Sequence, residues 1–200
     1  LSGHGGKIVI GEYGGNWKFL AAATWKSPGL ELNDVGYLRE TNNILQVLWT
    51  GYHKHDPFSI FNNMYLNMNQ WTEWDFSGKF LSSGGNVNLS TTFRNYWSFF
   101  FSSNISGESV SMSALRGGPA LKLPGNINIY SGFSSNEQKK LTIGIEGYIS
   151  RGFIKSYLRS EGMELELAYR PFKTLKFSFE PEYDVSRSEM QYVTQVSSGG

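Results

Sequence analysis

Leu175-Lys176-Phe177-Ser178-Phe179-Glu180-Pro181-Glu182-Tyr183-Asp184-Val185 decides how this chain is to be read. Every odd position is nonpolar or aromatic. Every even position is polar, and four of the five are charged. Side chains alternate faces along a β-strand, so this segment has one apolar face and one ionic face. The segment before it does the same, with Met163, Leu165, Leu167 and Tyr169 against Glu164, Glu166 and Arg170. Successive long dyad repeats of this kind are the sequence pattern of a transmembrane β-barrel.

Composition narrows the alternatives. The 200 residues suffice for one all-β domain. Aromatic residues are 16%, charged residues only 18%, and cysteine is absent, so no disulfide framework exists. A net charge of +1 gives no bulk field favouring nucleic acid. Three histidines without cysteine argue against a structural zinc site, and no cofactor is expected. The mean hydropathy of -0.34 is compatible with a barrel, because half of each strand faces a polar lumen. No run approaches the ~18 apolar residues of a membrane helix.

Alternation and turn residues predict about nine strands and no helix. The first is Lys7–Tyr13, ended by Gly14-Gly15-Asn16. The second is Trp17–Lys26, with Trp17, Phe19, Ala21, Ala23 and Trp25 on one face. A polar loop leads to the third, Asn43–His53. The fourth, Met64–Phe80, ends in a turn at Ser82-Ser83-Gly84-Gly85-Asn86. The fifth runs from Val87 to about Ile105, and a long loop follows from Gly107 to Gly125. Asn126–Ser134 and Lys139–Ser150 form a hairpin, and the two segments quoted above close the series. Keeping the charges of the last two strands on one face requires cross-strand partners of equal parity. A three-residue turn at Pro171-Phe172-Lys173 satisfies this and sets Glu164 opposite Glu180. Pro181 suits only an edge or a bulge.

Alternation alone leaves open which face meets solvent. A soluble sandwich would have strands of about 5–6 residues, whereas the fifth strand reads as more than three times that. The apolar face is also rich in Trp, Tyr and Phe, as at a membrane interface. The expected fold is therefore an all-β antiparallel up-and-down meander, part of a transmembrane outer-membrane β-barrel. Residues 1–200 are expected to be a fragment of that one domain. The sequence from Leu1 onward contains no signal-peptide pattern, and Gln191-Tyr192-Val193-Thr194-Gln195 reads as the start of a further strand.

Three stretches carry a family resemblance. The first is Trp25-Lys26-Ser27-Pro28-Gly29-Leu30-Glu31-Leu32-Asn33-Asp34-Val35-Gly36-Tyr37-Leu38-Arg39. The second is Arg116-Gly117-Gly118-Pro119-Ala120-Leu121-Lys122-Leu123-Pro124-Gly125-Asn126. The third is Tyr169-Arg170-Pro171-Phe172-Lys173 through Tyr183, with Ser186-Arg187-Ser188 and Gln191-Tyr192-Val193. They resemble signatures of a Bacteroidetes outer-membrane family, a domain of unknown function (DUF5916). Its members are often labelled carbohydrate-binding family-nine domain proteins. The resemblance implies a signal peptide, an N-terminal carbohydrate-binding sandwich and a large C-terminal barrel, of which this chain is a part. It carries over no catalytic residue.

Candidate sites follow from these faces. Glu164, Glu166, Glu180, Glu182 and Asp184 share one face, expected to line the lumen. Paired carboxylates can hydrolyse glycosides, but Lys176, Arg170 and Arg159 balancing the acids on a lumen wall is the simpler expectation. His53 and His55 share a face and, with a further ligand, could hold a metal. A polar strand end is the plainer reading. Asn33, Asp34, Arg39 and Arg116 are loop candidates near a lumen entrance, and Arg116-Gly117-Gly118-Pro119 has the composition of an anion nest. Phe93, Trp97, Phe99, Leu165, Leu167, Phe177 and Phe179 are expected to face lipid. The expected function is transport, surface binding or assembly in the bacterial outer membrane. Expected partners are outer-membrane lipid and carbohydrate or other envelope proteins, not nucleic acid. A secreted all-β carbohydrate-binding module is the alternative, and a membrane-associated hydrolase a weaker one.

Overall fold

A computed structural model describes residues 2–30, 41–111, 119–154 and 158–189. Thirteen strands run along these residues: β1 Gly5–Glu12, β2 Trp17–Lys26, β3 Asn43–Lys54, β4 Phe61–Trp74, β5 Phe80–Phe93, β6 Ser98–Ser106, β7 Ser109–Ser111, β8 Leu121–Leu123, β9 Asn126–Ser134, β10 Leu141–Gly152, β11 Leu158–Phe172, β12 Leu175–Phe179 and β13 Glu182–Ser188. Among the described residues no helix is long and apolar enough to cross a membrane.

One antiparallel sheet contains all of them except β7 and β8, which pair as a separate hairpin. Its order is β1-β2-β3-β4-β5-β6-β9-β10-β11, and β12 and β13 lie end to end along the far side of β11. The sheet is therefore an up-and-down meander with two edges, β1 at one and β12 with β13 at the other, and it does not close on itself. Substantial strand contacts are confined to hydrogen-bonded neighbours, apart from β5 touching β7. No second layer covers either face of the described sheet. Among the described residues the only buried hydrophobic side chain is Ala168, at 2% exposure.

Several strand boundaries differ from expectation, and each difference has a local cause. Ser82-Ser83-Gly84-Gly85-Asn86 is strand interior, paired with Asn69 to Glu73. The chain turns earlier, at Asp75, whose carboxylate accepts from Ser77 N–H (2.8 Å), Ser77 Oγ–H (2.6 Å) and Lys79 N–H (2.9 Å). Gly78 there has φ +82°, a left-handed conformation that glycine adopts without strain. The single long strand from Val87 to Ile105 is two strands, joined by a turn at 94–97 that holds Trp97. Strand length still exceeds the soluble norm, since β11 has 15 residues and β4 and β5 have 14.

The last hairpin also shifts. Its turn is Lys173-Thr174, and an irregularity between Tyr169 and Phe172 adds the odd residue. Equal parity survives, but Glu164 pairs with Glu182 rather than Glu180. Pro181 lies at the break between the two edge strands, where it supplies only its carbonyl, accepting from Leu165 N–H at 3.1 Å.

Candidate functional site

The strand registers place every side chain of the sheet on one of two faces. One face is polar. Its rows cross the strands at fixed levels. One row runs Trp49, Asn69, Asn86, Asn104, Asn128, Ser150, Ser160, Ser186. The next runs Lys18, Gly51, Asn67, Asn88, Ser102, Tyr130, Tyr148, Gly162, Asp184. Hydrogen bonds tie these rows together: Asn69 Nδ2–H to Asn86 Oδ1 (2.7 Å), Ser102 Oγ–H to Asn88 Oδ1 (2.7 Å), and Ser160 with Ser186 (2.7 Å). Cross-strand pairs of this kind stabilise a sheet by roughly 0.2–1 kcal/mol each. On β1 to β3 the same face also carries Val9, Leu20, Ala22, Leu45 and Val47.

Charge on this face is segregated. Glu146, Glu164 and Glu182 stand in one row across β10, β11 and β13. Asp184 lies opposite Gly162, and the register sets Glu180 level with Glu166. The five acidic residues expected from sequence thus come together. The structure adds Glu146, Tyr130 and Tyr148, which the sequence offers only as ordinary strand residues. Tyr130 donates its hydroxyl proton to Glu146, and Tyr148 donates to Asp184. Among the described residues none of the six carboxylates has an ion pair within 4 Å. Arg170 and Lys176 share the face at its turn end. Arg159, expected to balance the acids, is on the opposite face, in register with Arg151 and Arg187. Strands β5, β6 and β9 carry no charge on the polar face, and β1 and β2 carry Lys7, Lys18 and Lys26 there. Glu164, Glu166, Glu180, Glu182 and Asp184 are all exposed.

Rings on this face lie over glycines of the neighbouring strand. A Cβ at Gly84 would meet the Trp71 ring at 2.4 Å, one at Gly132 the Phe100 ring at 2.3 Å, and one at Gly162 the Tyr148 ring at 2.4 Å. Each ring and glycine are direct cross-strand partners. The rings pack on backbone that only glycine leaves bare. The two strand-end histidines are engaged separately. His53 Nε2 faces Asn67 Oδ1 at 2.9 Å, and His55 Nδ1 hydrogen-bonds Tyr65 at 3.1 Å. Asn33, Asp34, Arg39 and Arg116 lie outside the described residues.

The other face is mostly apolar; it also carries Gln46, Gln70 and Thr72, joined by hydrogen bonds of 3.0 and 2.6 Å, and Glu161 level with Ile149. Phe93, Phe99, Leu165, Leu167, Phe177 and Phe179 are all on it by register, opposite to the glutamates. Trp97 joins them from its turn, its ring 5.0 Å from that of Phe133. Rings gather where this face meets the short turns: Trp17 with Tyr52 (5.0 Å), Phe61 with Phe93 (5.3 Å), and Phe93 with Phe133 (6.2 Å). At the opposite end Trp25 and Trp74 flank Ile44. Beyond the apolar stretch stand charged residues, Glu12 and Lys54 at the first end, Arg151, Arg159 and Arg187 at the second.

No curated protein and no solved structure matches the chain. A family model described as a domain of unknown function (DUF5916) matches residues 1–199, essentially the whole length. The motifs between Trp25 and Val193 thus carry a true kinship, and the chain belongs to the DUF5916 family.

Proposed function

We propose that this chain forms part of the wall of an outer-membrane β-barrel, its apolar face on lipid and its polar face on an aqueous lumen. One observation carries the reading: the dimensions of the apolar face. Trp17 to Trp25 on β2, Ile44 to Tyr52 on β3 and Leu141 to Ile149 on β10 span equal lengths. Each is about 26 Å along the strand at ~3.3 Å per residue. Tilted by the usual 35–45°, that is roughly 20 Å of height, near the ~25 Å band of known barrels. Aromatic rows and charged residues bound it at both ends, as at a membrane interface. A soluble module would have to cover this face, and among the described residues no large hydrophobic side chain is fully buried.

Loop lengths orient the sheet. The turns at 13–16, 55–60, 94–97, 135–140 and 173–174 are at one end; both long connections, 27–42 and 107–125, are at the other, together with the short ones at 75–79 and 153–157. Barrels have short periplasmic turns and longer extracellular loops, so the second end faces outward. The role that fits is passage or surface binding of polar solutes. The amide and hydroxyl rows suit hydroxylated solutes, carbohydrate among them.

The test is vesicle association. The protein, folded from urea in the presence of zwitterionic vesicles, floats with them and resists alkaline carbonate extraction. Recovery as a soluble, lipid-free monomer would overturn the assignment.

A further inference from the structure

We infer that Arg151, Arg159 and Arg187 form a binding site for the phosphate of an anionic lipid headgroup, an inference that rests on the membrane reading above. The three arginines are direct cross-strand partners in one row of β10, β11 and β13. They share the face of Ile145, Ile149, Leu165, Tyr183 and Val185, one step beyond its apolar stretch. Like charges directly opposite one another destabilise a sheet unless an anion lies between them. Two carboxylates serve the row. Glu161 accepts from Arg151 and, at 3.5 Å, from Arg159; Glu189 accepts from Arg187 at 3.3 Å. Among the described residues three guanidiniums therefore share two carboxylates, leaving one positive charge. The Arg159 and Arg187 side chains are 64% and 68% exposed, so their forks are open to a ligand.

The guanidinium fork matches phosphate oxygens in a bidentate manner that lysine lacks. The row lies at the sheet end assigned to the outer surface. Its neighbours on the membrane side are Ile149 and Val185, with Glu161 between them on β11. A headgroup phosphate held on the arginines would lay its acyl chain along Ile149, Val185 and Ile145. That continuity selects a lipid over free phosphate. A phosphorylated glycolipid of the outer leaflet has this chemistry.

The test uses the protein in dodecylmaltoside micelles with three probes: bis-phosphorylated lipid A, the same lipid dephosphorylated, and inorganic phosphate. The phosphorylated lipid binds about tenfold more tightly than the dephosphorylated one, as loss of charge-assisted hydrogen bonds implies. Arg159→Gln with Arg187→Gln abolishes that preference and leaves the circular dichroism spectrum unchanged. Arg159→Lys with Arg187→Lys, which keeps the charge, retains part of it. Equal binding of the two lipids, or an unchanged preference in the Gln variant, would overturn the site. Displacement of the lipid by millimolar inorganic phosphate would overturn the lipid assignment. Tryptophan quenching by brominated lipid in vesicles reports insertion separately: quenching without phosphate preference sinks this site alone, and no quenching sinks the membrane reading with it.

Discussion

The Phe100 ring lies over Gly132, its direct partner on β9. The Tyr130 ring is 4.8 Å away, so ring, glycine and tyrosine form one packed unit on the polar face. Gly132→Val should displace the ring and cost about 1–3 kcal/mol, the usual penalty for overpacking. Gly144→Ala, whose added carbon meets nothing closer than 3.4 Å, should stay within about 0.5 kcal/mol of the parent. Urea unfolding of the two variants in micelles checks this, and equal midpoints would refute the packing argument.

Leu167 and Glu166 are sequence neighbours on opposite faces. Leu167→Arg should impair insertion, because a cation on lipid near mid-bilayer costs ~2–4 kcal/mol. Glu166→Arg should be mild, since a lumen is wet. The inserted fraction after flotation measures both. Equal sensitivity would mean the faces are assigned wrongly.

The Asp75 turn predicts a pH effect. The hydrogen bond from the Ser77 hydroxyl, then those from backbone N–H groups, hold the Asp75 carboxyl below its ordinary value of 3.8. A depressed folded-state value means a contribution that is full above 3.8 and lost as pH falls through the lower folded value. Asp75→Asn should therefore reduce stability at pH 7 and remove that part of the acid dependence. Parallel thermal scans of parent and variant from pH 6 to pH 2.5 test it. Curves offset by a constant amount throughout would contradict it.

Two open edges predict incomplete closure. Lipid cannot satisfy the free N–H and C=O groups of β1 and of β12 with β13. Residues 1–200 alone should not migrate as a compact, heat-modifiable monomer on a cold gel. A band that shifts on boiling, at monomer size, would show that these edges can join.

How much was legible in the sequence depended on whether local chemistry or tertiary pairing set a feature. Trp17–Lys26 and Asn126–Ser134 match their strands residue for residue, because alternation and flanking turn residues agree there. Gly84-Gly85 misled, since paired glycines read as a turn when nothing reveals that Trp71 covers Gly84. The turn at 94–97 was hidden for a different reason. Thr92 pairs with Ser98, so parity is unbroken across it, and Phe93 and Phe99 remain on one face as though the strand continued. The acidic face was legible from alternation alone. The row of Glu146, Glu164 and Glu182 was not, because the turn at Lys173-Thr174 together with the irregularity between Tyr169 and Phe172 sets the register two residues from that of a three-residue turn. Arg159 was misplaced by reading charge without parity.

The most direct test of the central claim is a nitroxide scan of residues 163 to 169 in vesicles, one cysteine at a time. Labels at Met163, Leu165, Leu167 and Tyr169 should collide with oxygen dissolved in lipid. Labels at Glu164, Glu166 and Ala168 should collide with a water-soluble nickel chelate, giving an alternation of period two. Loss of that alternation, or its reversal with the odd positions in water, would contradict a sheet that faces lipid on one side and a lumen on the other.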